Sequence, residues 1–122
     1  MKLLWNKCSG DSWCELYTVD LGDPHFDDME GVYVIWHGGG APNCVCVGQG
    51  AIRERLATHR TDPAIQQYAR HELFVTWAQV PTDCRSGVER FLAEQLTPKV
   101  DYHFPDVAPL SVNLPGLEVA IA

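Results

Sequence analysis

Four features of the chain carry residue types that could do chemistry. The first is Gly38-Gly39-Gly40, which invites a phosphate-loop reading. Such a loop needs Gly-Lys-Ser/Thr between a strand and a helix, and this run joins two strand-like segments, so the reading fails. The second, Gly48-Gln49-Gly50, does stand between a strand and a helix. A dinucleotide fingerprint would need glycine where Arg53 stands, so that also fails. What remains is a turn whose backbone N–H groups, at the start of a helix, can meet a phosphate oxygen. Gly48, Gln49, Gly50 and Arg53 are the candidate phosphate-binding residues, although a plain strand-to-helix turn explains the glycines equally well. The third feature is Arg55 with His59, an i, i+4 pair on one helical stripe. The fourth is Ser86-Gly87-Val88-Glu89, a capping-box pattern in which the glutamate bonds back to the amide of the N-cap residue.

Cysteine chemistry is less promising. Five cysteines stand at 8, 14, 44, 46 and 84, an odd number with no Cys-x-x-Cys pair. With no apolar leader after Met1, this argues against a disulfide framework. Cys44 and Cys46, two apart on a strand, should point to one face. A zinc site drawn from the cysteines and histidines has no supporting spacing, and His59, His71 and His103 read by default as surface or satisfied core residues.

The elements that must position these residues follow from pattern. Gly31 to Trp36 and Cys44 to Gly48 read as strands of an antiparallel hairpin, with Tyr33 and Ile35 facing opposite to Val32, Val34 and Trp36. A helix follows from about Ala51 to Arg60, with Ile52 and Leu56 inward. Asp62 caps a second helix opened by Pro63, with Ile65, Tyr68 and Ala69 as its buried stripe. Leu73 to Gln79 is a third strand, and a last helix runs from about Ser86 to Leu96 before Pro98. Glu15 to Val19 offers a further short strand. The expected fold class is α/β: a small antiparallel central sheet of about three strands, with room for one more from the N-terminus, flanked by helices. The 122 residues suit one domain, with core motifs over 31–101, an N-terminal extension over 1–30 and an irregular tail over 102–122.

The bulk numbers restrict the function. A 46% hydrophobic content supports a real core, and no apolar run is long enough to span a bilayer. The expectation is a soluble, cytoplasmic protein. The net charge of −7 argues against a general nucleic-acid coat protein. It is uneven: residues 1–30 are net −5, residues 31–100 net +1, and residues 101–122 net −3. Any phosphate is best tolerated in the central segment.

Gly31-Val32-Tyr33, then Cys46-Val47-Gly48 after twelve intervening residues, then Arg55-Leu56 with His59, then Glu89 with Pro98 nine residues on, together resemble the GIY-YIG nuclease family. The likeness covers residues 31–101. It departs at Cys46, where the family usually has tyrosine, and at Asp101, where it usually has asparagine.

The resemblance implies a GIY-YIG-like fold and a metal-dependent endonuclease acting on DNA phosphodiester bonds. Tyr33 would be the general base or orient the water, Arg55 would clamp the phosphate, and Glu89 would hold Mg²⁺ or Mn²⁺. His59 would steer the phosphate or assist proton transfer. These types suit the reaction, because a guanidinium fork and a divalent ion both meet the charge that develops on phosphorus oxygens. Taken alone, Tyr33 is a strand aromatic and Arg55 a solvated helix residue. A cap and a metal ligand also compete for the one carboxylate of Glu89. The alternative is a degenerate GIY-YIG-like copy serving as a binding or interaction module. DNA is the expected partner, with a protein partner or a homodimer supplying specificity.

Overall fold

The computed structural model describes residues 1–100 and 104–116; Asp101 and His103 lie outside the described residues. The strands are β1 (Cys14–Glu15), β2 (Glu30–His37), β3 (Asn43–Ala51) and β4 (Leu73–Gln79). They form one antiparallel sheet in the order β1-β4-β2-β3. The helices are α1 (Ile52–His59), α2 (Pro63–Gln66) and α3 (Thr82–Leu96). The chain is thus a small α/β protein with a four-stranded sheet. The fourth strand does come from the N-terminal extension, but it is only two residues long and ends before Leu16, short of the expected Glu15–Val19 strand.

β2 is central and wholly buried from Gly31 onward, because helices cover both of its faces. Val32, Val34 and Trp36 meet Val88, Leu92 and Leu96 of α3. Tyr33 and Ile35 meet Ile52 and Leu56 of α1 and Ile65 of α2. The expected alternation on β2 therefore divides two cores. Gly31 is glycine for a local reason: a Cβ there would strike the Ala78 carbonyl on the neighbouring strand.

β3 breaks the simple alternation. Ile35 pairs with Cys46 and Trp36 with Cys44, so Val45 is an extra, bulged residue. Across it the facing of side chains shifts by one. Cys44 belongs to the α3-side core and Cys46 to the α1-side core, which corrects the expectation that the two share a face. The outer edge of β3 is covered at the bulge by amides of Lys99 and Val100, which bond the carbonyls of Cys44 and Val45 at 3.0 and 2.8 Å.

Three further expectations change. α3 begins at Thr82, four residues before Ser86, so Glu89 lies inside the helix and is not part of a capping box. α2 is a single turn, with the Asp62 cap bonding the Ala64 amide at 2.9 Å, and Ala69, beyond it, is exposed. Cys8 and Cys14 form a disulfide. A helical turn at Ser9–Asp11 and a bridge between Cys8 and Ser12 fold the segment back, which brings their Cα atoms to 5.2 Å. An odd cysteine count carries no sign of this local turn, so the expectation of no disulfide fails here. Two segments far apart in sequence also clasp: the side chain of Asn113 both accepts from the Leu3 amide and donates to its carbonyl.

Candidate functional site

The site assembles around the last residues of β3. Tyr33 sits opposite Gly48 in the β2–β3 ladder. A Cβ on Gly48 would collide with the Tyr33 hydroxyl and ring, so the absent side chain is the space the phenol occupies. The hydroxyl then reaches His59 at the end of α1, with 2.6 Å between the phenol oxygen and Nε2. The Sγ atom of Cys46 lies 3.9 Å from the same nitrogen. Arg55, one turn before His59, brings its positive charge to bear on the Tyr33 phenol, while its stem lies against Gly50. Gly50 holds a φ of +127°, which suits glycine at this strand-to-helix turn.

Tyr33 and His59 are 1% and 2% exposed, whereas Arg55 lies at the surface. Solvent and any substrate therefore meet the cluster through the guanidinium. Burial sets the protonation of its inner members. It pushes the Tyr33 phenol up, with the nearby Cys46 adding to the rise, while the bond and charge of Arg55 pull it down. It pushes the Cys46 thiol up as well. It lowers His59 to about 4, with the Arg55 charge adding to the fall and Asp62 opposing it. At neutral pH the phenol keeps its proton and the imidazole is neutral.

Glu89 approaches β3 from the α3 side. Gln49, on the same face as Val47, donates through Nε2 to Glu89 Oε1 at 2.7 Å and also reaches the Ser86 hydroxyl at 3.3 Å. Burial raises the Glu89 carboxyl, while the Gln49 bond and the charge of Arg55 lower it. Its charge is felt at both Tyr33 and Cys46. Tyr33, Arg55, His59 and Glu89 thus share one electrostatic neighbourhood from two faces of the sheet, around a strand segment whose residue 48 has no side chain.

Arg53 does not join them. Its guanidinium bonds the carbonyls of Leu21 and Asp23 and the carboxylate of Asp27 at 2.6 to 3.0 Å. Three acceptors from the N-terminal extension hold this phosphate-binding candidate away from Tyr33, and it faces a cleft lined by Asp27, Asp28, Glu30 and Glu54. Gln49 is better described as the partner of Glu89 than as a phosphate ligand. Pattern reading missed that role, since a strand glutamine carries no signal of its partner on a distant helix. It also missed that Asp62, besides capping α2, faces His59 with 3.9 Å from Oδ2 to Nδ1. The i, i+3 spacing across the end of α1 was the available signal.

Among the described residues, no group of three or more His, Cys, Asp or Glu side chains gathers to hold a metal ion. Glu89 offers one hard carboxylate, which fits a magnesium-type ion that takes most of its ligands from water and substrate phosphate. Comparison with protein-family models, with curated proteins and with solved structures gives no match. No helix among the described residues is long and apolar enough to cross a membrane.

Proposed function

We propose that this chain is a metal-dependent endonuclease-like hydrolase of the GIY-YIG type, cleaving DNA phosphodiester bonds. The observation that carries the reading is the buried Tyr33 hydroxyl 2.6 Å from His59 Nε2, with the charge of Arg55 acting on it. A buried phenol under a positive charge, with an acceptor at its hydroxyl, is arranged to pass a proton. Arg55, exposed at the mouth, meets the phosphate and stabilises the charge that grows in its transition state. The phenol takes the proton of an attacking water as it hands its own to His59, and neutral His59 is ready to receive it. Glu89 would hold Mg²⁺ or Mn²⁺, which when bound supplies Lewis-acid stabilisation of a phosphoryl oxygen. Gln49 orients that carboxylate. The location is proposed to be cytoplasmic, although the Cys8–Cys14 disulfide is of a kind that persists in oxidising compartments.

A supercoiled plasmid nicked in the presence of Mg²⁺ or Mn²⁺ tests the reading. Arg55→Ala and Glu89→Ala should each lower the rate by about 100-fold or more. Equal rates in the wild type and the Glu89 variant would assign the activity to another site or to a contaminant. A second reading is a degenerate copy that binds without cutting. It is favoured by Cys46 beside His59, where the family's second tyrosine would stand, and by the engagement of Glu89 with Gln49. DNA binding with no metal-dependent nicking would select it.

A further inference from the structure

We infer that Asp62 is a positioning residue for the proton relay: its carboxylate holds the His59 imidazole in the tautomer with hydrogen on Nδ1, which leaves Nε2 as the acceptor for Tyr33. The role of the relay in hydrolysis rests on the nuclease reading above; the tautomer does not.

The geometry is built from both ends. Asp62 stands three residues after His59, where α1 ends and α2 starts. One of its oxygens, Oδ1, is fixed by the Ala64 amide at 2.9 Å, so the carboxylate cannot swing away without uncapping α2. The other, Oδ2, faces His59 Nδ1 at 3.9 Å. That is longer than a hydrogen bond but within ion-pair distance. A neutral imidazole has one N–H and one lone pair. A lone pair on Nδ1 would face a carboxylate oxygen and be repelled, whereas an N–H there is attracted. At the opposite ring nitrogen, the positive charge of Arg55 acts on the Tyr33 phenol, which favours turning the phenol hydrogen away from the guanidinium and toward Nε2. Both neighbours favour the same tautomer.

Among the described residues, the charged and titratable groups that face the imidazole come from several packed elements. They are Tyr33 from β2, Cys46 from β3, Arg55 from α1 and Asp62 from the α2 cap. Arg55 opposes a positive imidazole and Asp62 supports it. In the attack, the water oxygen bonds to phosphorus and the bond from phosphorus to the leaving alkoxide breaks. The water proton moves to the phenol oxygen while the phenol proton moves to Nε2. The resulting imidazolium carries hydrogen on both nitrogens, with Nδ1–H toward Asp62. The alkoxide takes a proton from solvent water, and the imidazolium releases its own to solvent. This is the logic by which a buried aspartate orients a catalytic histidine in hydrolytic triads, here with a phenol as the group served.

The test reads the ring nitrogens of His59 by long-range ¹H–¹⁵N correlation in the intact chain. The wild type should show a protonated Nδ1 and a lone-pair Nε2; the reverse pattern overturns the proposal without any variant. Asp62→Asn keeps an oxygen to cap α2 but turns an amide donor toward Nδ1. It should swap the tautomer and lower kcat for plasmid nicking by about 100-fold, with KM little changed. An unswapped tautomer in this variant, with the fold intact by its amide spectrum, overturns the proposal. Asp62→Ser, which caps with its single oxygen and leaves no carboxylate facing the ring, should give a mixture of tautomers; the wild-type pattern retained in full would count against Asp62. A swapped tautomer in a protein whose wild type never nicks DNA supports the positioning role and removes the nuclease reading.

Discussion

On one face of the sheet, α1 and α2 press an apolar layer that contains Tyr33, Cys46 and His59; on the other, α3 presses a layer that buries the carboxylate of Glu89. The first face keeps net charge out. Its phenol and thiol are held protonated and its imidazole neutral, all by burial. The second face admits a carboxylate and compensates it with the Gln49 amide. In the proposed reaction, proton transfer is thus served from the α1 side of β3 and metal binding from the α3 side. At Gly48 no side chain stands in the place the Tyr33 hydroxyl occupies.

The largest expected effect comes from closing that gap. Gly48→Ala puts a methyl group where the Tyr33 hydroxyl lies, so the phenol must leave its place beside His59. The nicking rate should fall by about 100-fold, and stability by about 1–3 kcal/mol in a urea titration. If the variant folds with the Tyr33–His59 contact intact by NMR, the two faces are less tightly coupled than described.

A second test sharpens the account of the uncharged face. His59 is lowered in the fold to about 4, from 6.5. Between those values the unfolded chain binds more protons than the folded one. The contribution is therefore fully present above 6.5 and is lost as pH falls toward about 4, by on the order of 3 kcal/mol. Denaturant midpoints measured across that window should slope downward with acid, and His59→Gln should flatten the slope. A wild-type slope identical to that of the variant would mean the imidazole is solvated.

The smallest effect separates two arginines on one helix. Arg53→Ala should cost about 1–2 kcal/mol through the lost bonds to residues 21–27, and should leave nicking unchanged. A nicking loss equal to that of Arg55→Ala would return Arg53 to the phosphate site.

Much of this arrangement was legible in the residues. The β4 bounds, the opposed faces of β2 and the cap at Asp62 follow from local pattern, because alternation and capping act over a few residues. The i, i+4 pairing of Arg55 and His59 also survives, since both converge on Tyr33. What failed depended on distant partners. Arg53 and Arg55 look alike in sequence, and only the loop at 21–27 tells them apart. Ser86 to Glu89 satisfies a helix-start pattern, yet the helix already runs from Thr82, and the apolar contacts of Val88 and Leu92 decide its facing. The bulge at Val45 leaves no sign in Cys44-Val45-Cys46, because it is a property of the pairing with β2.

That bulge makes the centre sensitive to spacing as well as to residue identity. Many conservative exchanges between Asn43 and Val47 would leave Gly48 beneath the phenol. Deleting a single residue from that stretch would straighten the ladder or rotate everything after it by half a repeat, delivering Gln49 to the position reserved for glycine. In a library of variants, short insertions and deletions before Gly48 should therefore be purged far more severely than substitutions at the same positions.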